Sequence, residues 1–388
     1  MELIEVAGGA AVEELADLVA RAARRMGLGE AVVYITDYEQ RRLVPLPGRD
    51  LPVRAPVAID GTLGGRAFMT QRAVGADTVH GDRLWVPIAT GAERLGVLEL
   101  AAQDTDANRR RIRLLATVTA LQLVVRRRSA DYIHRLRRRE TMSLAAEIQW
   151  ALLPPLTSAT QRITISGVLE PSYDIAGDSF DYAIDGGVAR LAIFDAMGHG
   201  FEATRMAMLA VGTYRHARRD GSGLEQTRDA VDEVVGRFFD AGQFITAQLA
   251  ELDGQTGRLR WLNAGHPPPL LVRQQTVVGR LACVPTLPLG LGGEIGEIAE
   301  VQLEPGDRVL LFTDGVTEAR SPGGAFFGDD QLDDFVVRAE LGALPLPETL
   351  RRLGHALVDH QAGAPQDDAT MVMLEWRAPA GTGGAVDT

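Results

Sequence analysis

An apolar strand that ends in a carboxylate is an unfavourable arrangement, and this sequence repeats it at four distant places. In "ARLAIFDAMGHGFEA", Leu191 to Phe194 read as a buried strand that stops on Asp195. Gly198, His199 and Gly200 then break the chain before the helix-like "FEATRMAMLAV". "VLLFTDGV" has the same form, closing at Asp314 before Gly315. The order is reversed in "APQDDATMVML", where Asp367 and Asp368 stand just ahead of a strand, and Asp178 in "DIAGDSFDYAI" follows a Gly and precedes a strand. One such Asp reads as a helix cap or turn residue. Four, far apart in sequence, can meet at one rim of a β-sandwich. There they repel and raise one another's pKa, a problem that a divalent cation removes. Oxygen ligands with no Cys and no obligatory His point to a hard ion, Mg²⁺ or Mn²⁺. Two such ions sharing a carboxylate would hold and acidify a water for attack on phosphorus.

The rest of the composition limits the alternatives. A chain of 388 residues is expected to form two or three domains, and 46% apolar with 24% charged residues is the balance of a folded protein. The net charge of −12 argues against general nucleic-acid binding, which needs a basic surface. Cys283 is the single cysteine, so no intramolecular disulfide forms, in keeping with a reducing cytosol. The acidic start "MELIEVAGGAAVEELADL" lacks the basic region of a signal peptide. The longest apolar span, Leu114 to Val125, is too short to cross a bilayer. The expectation is a cytoplasmic protein with no membrane span and no nucleic-acid partner.

Residues 1–105 read as a small α/β domain. A helical stripe runs from Val12 to Met26, followed by strands in "EAVVYITD" and "RRLVPL". "DGTLGGRAFMTQRAV" is a Gly-rich turn into a short helix, and "RLWVPIAT" with "ERLGVLELAA" forms a hairpin at Thr90-Gly91. This order resembles a GAF domain, which implies a sensor with a small ligand of unknown identity; His80 stands alone there and reads as a loop residue. In residues 106–155, Ile112, Leu115, Val118, Leu121, Val125, Tyr132 and Leu136 make an apolar stripe that Leu144, Ile148 and Leu152 continue in a shifted register. Arg blocks flank it, and Pro154-Pro155 ends it. The expectation is a long, coiled-coil-like connecting helix that pairs with a second copy in a homodimer.

Residues 156–377 alternate hairpins with helices in an order that is not repeated βαβ. "YAIDGGVARLAIF" turns at Asp185-Gly186-Gly187 and "ITAQLAELDGQTGRLRWLNAG" near Asp253-Gly254, with helices at roughly 201–218 and 223–240 between them. The buried strand "DRVLLFTDG", the helix "LPETLRRLGHALVDHQ" and the closing strand "ATMVMLEW" follow. The fold class is α+β, with a C-terminal sandwich of two antiparallel sheets flanked by helices. Residues 378–388 are small and polar enough to be a disordered tail.

The motifs "AGDSFDY", "FDAMGHG", "NAGHPPPLL", "LEPGDRVLLFTDGVTEAR", "FFGDDQL" and "QDDAT", in this order, resemble the metal-dependent (PPM-type, protein phosphatase 2C-like) serine/threonine phosphatases. The branch is that of bacterial sporulation and stress-response regulators, and "AAEIQWALLPP" is similar to the helix leading into it. The resemblance implies an α-β-β-α sandwich with two divalent cations, Mn²⁺ or Mg²⁺. Asp195 would bridge the ions, Asp178 and the backbone carbonyl of Ala196 would complete one site, and Asp314 and Asp367 the other. Asp368 would support them from behind. The implied substrate is a phosphorylated protein, an anti-sigma-factor antagonist. Asp181, Asp329 and Asp330 read as solvated surface, and Asn263, Gly265 and His266 as a turn near the site.

Two positions depart from the family pattern. Ala176 stands where the branch usually has Gly. Met197 stands where the eukaryotic enzymes carry a proton-donating His. His199, two residues on, is open to either role, general acid or turn residue, and the leaving-group acid stays unassigned. "AGDSF" lacks the second acid of a diguanylate-cyclase hairpin, and Thr313-Asp314-Gly315 lacks the second acid of a haloacid-dehalogenase site. The remaining rival is a sensor and scaffold that binds a partner through a degenerate phosphatase domain.

Overall fold

The computed structural model describes residues 11–78, 81–174, 177–294 and 296–378. His80, Ala176 and the expected tail from residue 379 onward lie outside them. The chain divides into two compact units, Met1–Thr141 and Met142–Thr388.

In the first unit a 3₁₀ turn, Val12–Glu14, leads into α1 (Leu15–Arg25). Then come β1 (Ala31–Thr36), β2 (Arg42–Pro45), β3 (Val57–Ala58), α2 (Leu63–Thr70), β4 (Val74–Thr78), β5 (Gly81–Thr90) and β6 (Glu93–Leu100). These strands form one antiparallel sheet in the order β3-β2-β1-β6-β5-β4. Strand alternation sorts its two faces. Ala31, Val33 and Ile35 face the core under α1, whereas Val32 and Tyr34 pack with Ala67 and Phe68 of α2.

The expected single helix of residues 106–155 is three helices, α3 (Asp106–Arg126), α4 (Asp131–Arg137) and α5 (Leu144–Leu152). The first two belong to the first unit. Ile112, Leu115, Ala116, Ala120 and Leu123 of α3 enter its core beside α1, as does Ile133 of α4. The chain breaks after α3 because α4 turns back onto β1. The Tyr38 hydroxyl meets His134 Nδ1 at 2.7 Å, His134 Nε2 donates to the Arg127 carbonyl, and Arg137 donates to the Thr36 carbonyl with its guanidinium over the Tyr38 ring. The stripe therefore splits. One face of α3 is core, while Leu114, Leu121 and Val125 on the other are 53%, 53% and 64% exposed. Among the described residues no helix is long and apolar enough to cross a membrane.

The second unit begins with α5 and continues through β7 (Thr157–Ala159), β8 (Ile163–Glu170), β9 (Asp178–Asp185), β10 (Val188–Ala196), α6 (Phe201–Arg219) and α7 (Leu224–Phe238). It goes on with β11 (Ile245–Asp253), β12 (Arg258–Ala264), β13 (Leu270–Arg273), β14 (Thr276–Arg280), β15 (Ala299–Gln302) and β16 (Arg308–Phe312). A short turn of helix, α8 (Asp314–Thr317), then α9 (Gly328–Leu341), α10 (Leu346–His360) and β17 (Ala369–Trp376) complete it. Two antiparallel sheets result, β15-β12-β11-β10-β9 and β14-β13-β16-β17-β8-β7.

Alternation along β10 shows the layering. Leu191 and Ile193 join Phe180, Leu252, Leu311, Val372 and Leu374 between the sheets. Ala192 and Phe194 face outward onto Met206, Ala210 and Val231 of α6 and α7. The second sheet presents Phe312, Met371 and Met373 to Leu350 and Leu353 of α10 in the same way. Burying each such side chain contributes about 1.5–3 kcal/mol.

Candidate metal centre

Asp178 opens β9 and Asp195 lies one residue from the end of β10, directly opposite it in the hairpin register. Opposed residues of an antiparallel pair have Cβ atoms about 4.5–5.5 Å apart on one face. Asp195 is flanked on its other side by Thr246 of β11. The second sheet is tied to this rim by Asp368, whose Oδ2 accepts from the backbone N–H of Gly177 at 2.7 Å and of Asp178 at 3.3 Å. Thr313, which follows β16, donates its hydroxyl to Asp178 Oδ2 at 2.7 Å and accepts from the Thr370 N–H at 3.0 Å.

Two glycines let these strands close. A Cβ on Gly315 would lie 1.9 Å from the Asp368 carbonyl oxygen, so only glycine brings the turn after Asp314 against residues 367–368. A Cβ on Gly177 would lie 2.7 Å from the carbonyl oxygen of Ala196. Asp314 and Asp367 stand at the exposed edge of the rim, and Asp178 is buried at 2% exposure.

The electrostatics show the acids acting on one another. Burial pushes the Asp178 carboxyl well up, and the charges of Asp195 and Asp368 add to it against the hydroxyls of Thr313 and Thr370. Asp195 is pushed up to about 7, by burial first and then by Asp314, Asp367 and Asp368, with the Thr246 hydroxyl opposing. Asp314 is raised by burial, then by Glu318 and Asp367. Buried carboxylates that destabilise one another's charged form are a donor set awaiting positive charge.

Among the described residues no three His, Cys, Asp or Glu side chains close on a single ion. Mg²⁺ and Mn²⁺ sites need no such cage. These ions keep several waters and are held by one or two carboxylates each. Asp178 paired with Asp195, and Asp314 and Asp367 acting on the Asp195 charge, are carboxylates of the kind such an ion takes.

The loop after Asp195 holds Met197, whose N–H donates to the Phe244 carbonyl, and then His199, exposed between Gly198 at φ 94° and Gly200 at φ 75°. The turn residues Asn263 and His266 are buried, and Asn263 brackets the His266 backbone, donating to its carbonyl and accepting from its N–H. Asp181 corrects the surface reading. It is 1% exposed, held by Arg215 and Arg218 of α6 at 2.8 and 2.9 Å, while Arg215 also donates to the Leu152 carbonyl at the end of α5. Asp329 and Asp330 are exposed, Asp329 pairing with Arg280.

Sequence reasoning missed Thr313, Thr246 and Gln149. Gln149 is fully buried on α5, and its amide donates to the Asp178 carbonyl at 2.5 Å. Thr313 had a signal in its place between the apolar strand and Asp314. The other two meet their partners only through register and tertiary packing.

Comparison with known proteins agrees with this architecture. The family described as stage II sporulation protein E (SpoIIE) matches residues 185–377. Among curated relatives, Protein IcfG of Synechocystis sp. is 26% identical over 257 residues, 59% of this chain and 40% of that protein. Phosphoserine phosphatase RsbU of Bacillus subtilis is 24% identical over 234 residues, 60% of this chain and 69% of that protein. The chain thus spans well under half of the first relative and about two thirds of the second. Among solved structures, the RsbU and RsbW domains of Rv1364c from Mycobacterium tuberculosis share the fold at a TM-score of 0.50 and 24% identity, over 59% of this chain and 64% of that one. Residues 185–377 of the C-terminal unit thus resemble the SpoIIE family, a PP2C-type phosphatase domain.

Proposed function

We propose that the chain is a metal-dependent protein serine/threonine phosphatase, controlled by its N-terminal unit and acting on a phosphorylated anti-sigma-factor antagonist. The observation that carries this reading is the pairing of Asp178 with Asp195 at a rim where Asp314 and Asp367 act on the same charge. Two bound Mn²⁺ or Mg²⁺ ions would supply an acidified water and neutralise charge on the phosphoryl group. The chain's own residues do the rest. Asp195 would be shared between the ions, Thr313 fixes one oxygen of Asp178, and Asp368 fixes the backbone that carries it. The substrate class follows the family and the printed name of RsbU, and a cytoplasmic setting goes with it. The N-terminal unit serves as the sensor, for a ligand that its fold does not name.

The test is phosphate release from a phosphoserine peptide by the full chain, with Mn²⁺ and with EDTA. Release only with the metal supports the reading; release in EDTA, or none in either, overturns it, the last in favour of a scaffold. On the same substrate His199→Ala should lower kcat about 10²-fold if His199 donates the proton to the leaving group. p-Nitrophenyl phosphate, whose leaving group needs no proton, should show a much smaller loss. Equal losses mean that His199 serves the loop instead.

The exposed face of α3 supports a homodimer. Leu114, Val118, Leu121 and Val125 are spaced as alternate a and d positions, and a lone helix leaves Val118 half-buried and the other three in water. A twofold dimer is the commonest way to cover such a seam. Replacing Val118, Leu121 and Val125 with Asp should give a monomer in sedimentation, without touching Ile112, Leu115 or Leu123 in the core. A wild-type protein that sediments as a monomer at micromolar concentration overturns the pairing.

A further inference from the structure

We infer that His266 is a positioning residue for the metal centre, setting the orientation of the Asp195 carboxylate through the hydroxyl of Thr246. The inference rests on the proposed reading of Asp195 as a metal ligand. Its basis is a chain of contacts across two strands and a turn. Thr246 pairs directly with Asp195 in the β10–β11 register, so their side chains share a face. Thr246 Oγ1 lies 3.5 Å from Asp195 Oδ2 and 2.7 Å from His266 Nδ1.

The backbone around His266 is built to aim that ring. Asn263 holds the His266 peptide from both sides at 2.7 and 2.8 Å, and Gln248 donates to the Pro267 carbonyl at 2.9 Å. Gly265 between them takes φ 68°, and Pro288 packs against the face where its side chain would sit. A turn fixed so heavily, with its one imidazole buried at 4% exposure, holds the ring in a single place.

The direction of the hydrogen bonds follows from counting donors. A neutral imidazole has one N–H. His266 Nε2 makes no hydrogen bond among the described residues. The Phe312 backbone also lies beside the ring; we place the proton on Nδ1, the nitrogen 2.7 Å from Thr246 Oγ1, and nitrogen NMR of the ring decides it. Nδ1–H then donates to Thr246 Oγ1, leaving the threonine hydroxyl hydrogen free for Asp195 alone. With the proton on Nε2, Thr246 would donate to the ring instead and Asp195 would receive nothing.

The test is Mn²⁺ affinity of the full chain, read from the spectrum of free Mn²⁺, with melting temperature as the control for folding. Thr246→Val and His266→Leu should each weaken Mn²⁺ binding by about 10–100-fold, the usual loss when a group behind a metal ligand is removed. Thr246→Ser keeps the hydroxyl, and His266→Asn keeps an N–H near the place of Nδ1. Both should bind within a few-fold of wild type. The double variant Thr246→Val with His266→Leu should bind no worse than either single one, because the two residues form one relay. Nitrogen NMR of the His266 ring, assigned by its disappearance in His266→Asn, should show the proton on Nδ1. Wild-type Mn²⁺ affinity in Thr246→Val, a proton on Nε2, or additive losses in the double variant would each overturn the inference while leaving the phosphatase reading intact. A wild-type protein that binds no Mn²⁺ overturns both.

Discussion

Asp195→Asn should cut turnover on a phosphoserine peptide by about 10³-fold or more while the C-terminal unit stays folded. The size follows from what the residue is placed to do. Metal ions contribute several kcal/mol of charge stabilisation, and each 1.36 kcal/mol is about tenfold in rate. Asp195 is the acid on which Asp314, Asp367 and Asp368 all act, so losing its charge weakens both halves of the centre together. Folding should survive because the side chain is only partly buried, and its hydrogen bond from Thr246, at 3.5 Å, is long. An amide fits the same space. The check is kcat with saturating Mn²⁺ beside a thermal melt of the same preparation. A variant that melts like wild type and keeps more than a tenth of its activity would remove Asp195 from the shared position.

The part of this centre that the sequence shows is the part written in local pattern. The hairpin from Asp178 to Ala196 is announced by apolar residues on both sides of Asp185-Gly186-Gly187, and both glycines take positive φ, 58° and 86°. Once that turn is placed, the register brings Asp178 opposite Asp195. The groups behind the acids are invisible because their signal is not local. Nothing about Thr246 marks it until β11 is paired with β10, and Gln149 reaches Asp178 only when α5 docks.

Asp181 misled for a related reason. An acid within a strand looks solvated when no partner is near it in sequence, and its neutralising arginines come from α6, far along the chain. The connecting helix misled differently. α3 carries two apolar faces, and its buried face uses Ala116, Thr119 and Ala120, which a search for large residues passes over. Merged into one stripe, the two faces read as a single long seam. The break that separates α4 depends on Tyr38 and Thr36, near the start of the chain.

The metal-free protein should lose stability as pH rises toward neutrality, and Asp195→Asn should abolish much of that loss. Asp195 has an ordinary value of 3.8 and is raised to about 7 in the folded chain. Between those values the folded state keeps a proton that the unfolded state has released. Stability then falls with pH through this window and reaches its full deficit above it. At about 1.4 kcal/mol per decade of proton affinity, the deficit is on the order of a few kcal/mol, with Asp178 acting in the same direction. For a unit of this size that is roughly 10 °C in melting temperature. His266 works against the trend at the acid end. Burial pushes its imidazole down from 6.5 to about 3, so the stability gained by keeping it neutral is lost as pH falls from 6.5 toward 3. The raw profile of the wild type therefore mixes two opposite slopes below 6.5. Subtracting it from the profile of Asp195→Asn cancels the histidine and leaves the carboxylate. In EDTA the variant should melt at about the same temperature as wild type near pH 4 and well above it at pH 8. Adding Mn²⁺ at pH 8 should restore the wild type and do little for the variant, because the ions supply the charge that the acids lack. Calorimetry at these two pH values decides it. Parallel profiles in EDTA would mean that the four acids do not crowd one another in solution, and the electrostatic case for a metal centre at this rim would fall with them.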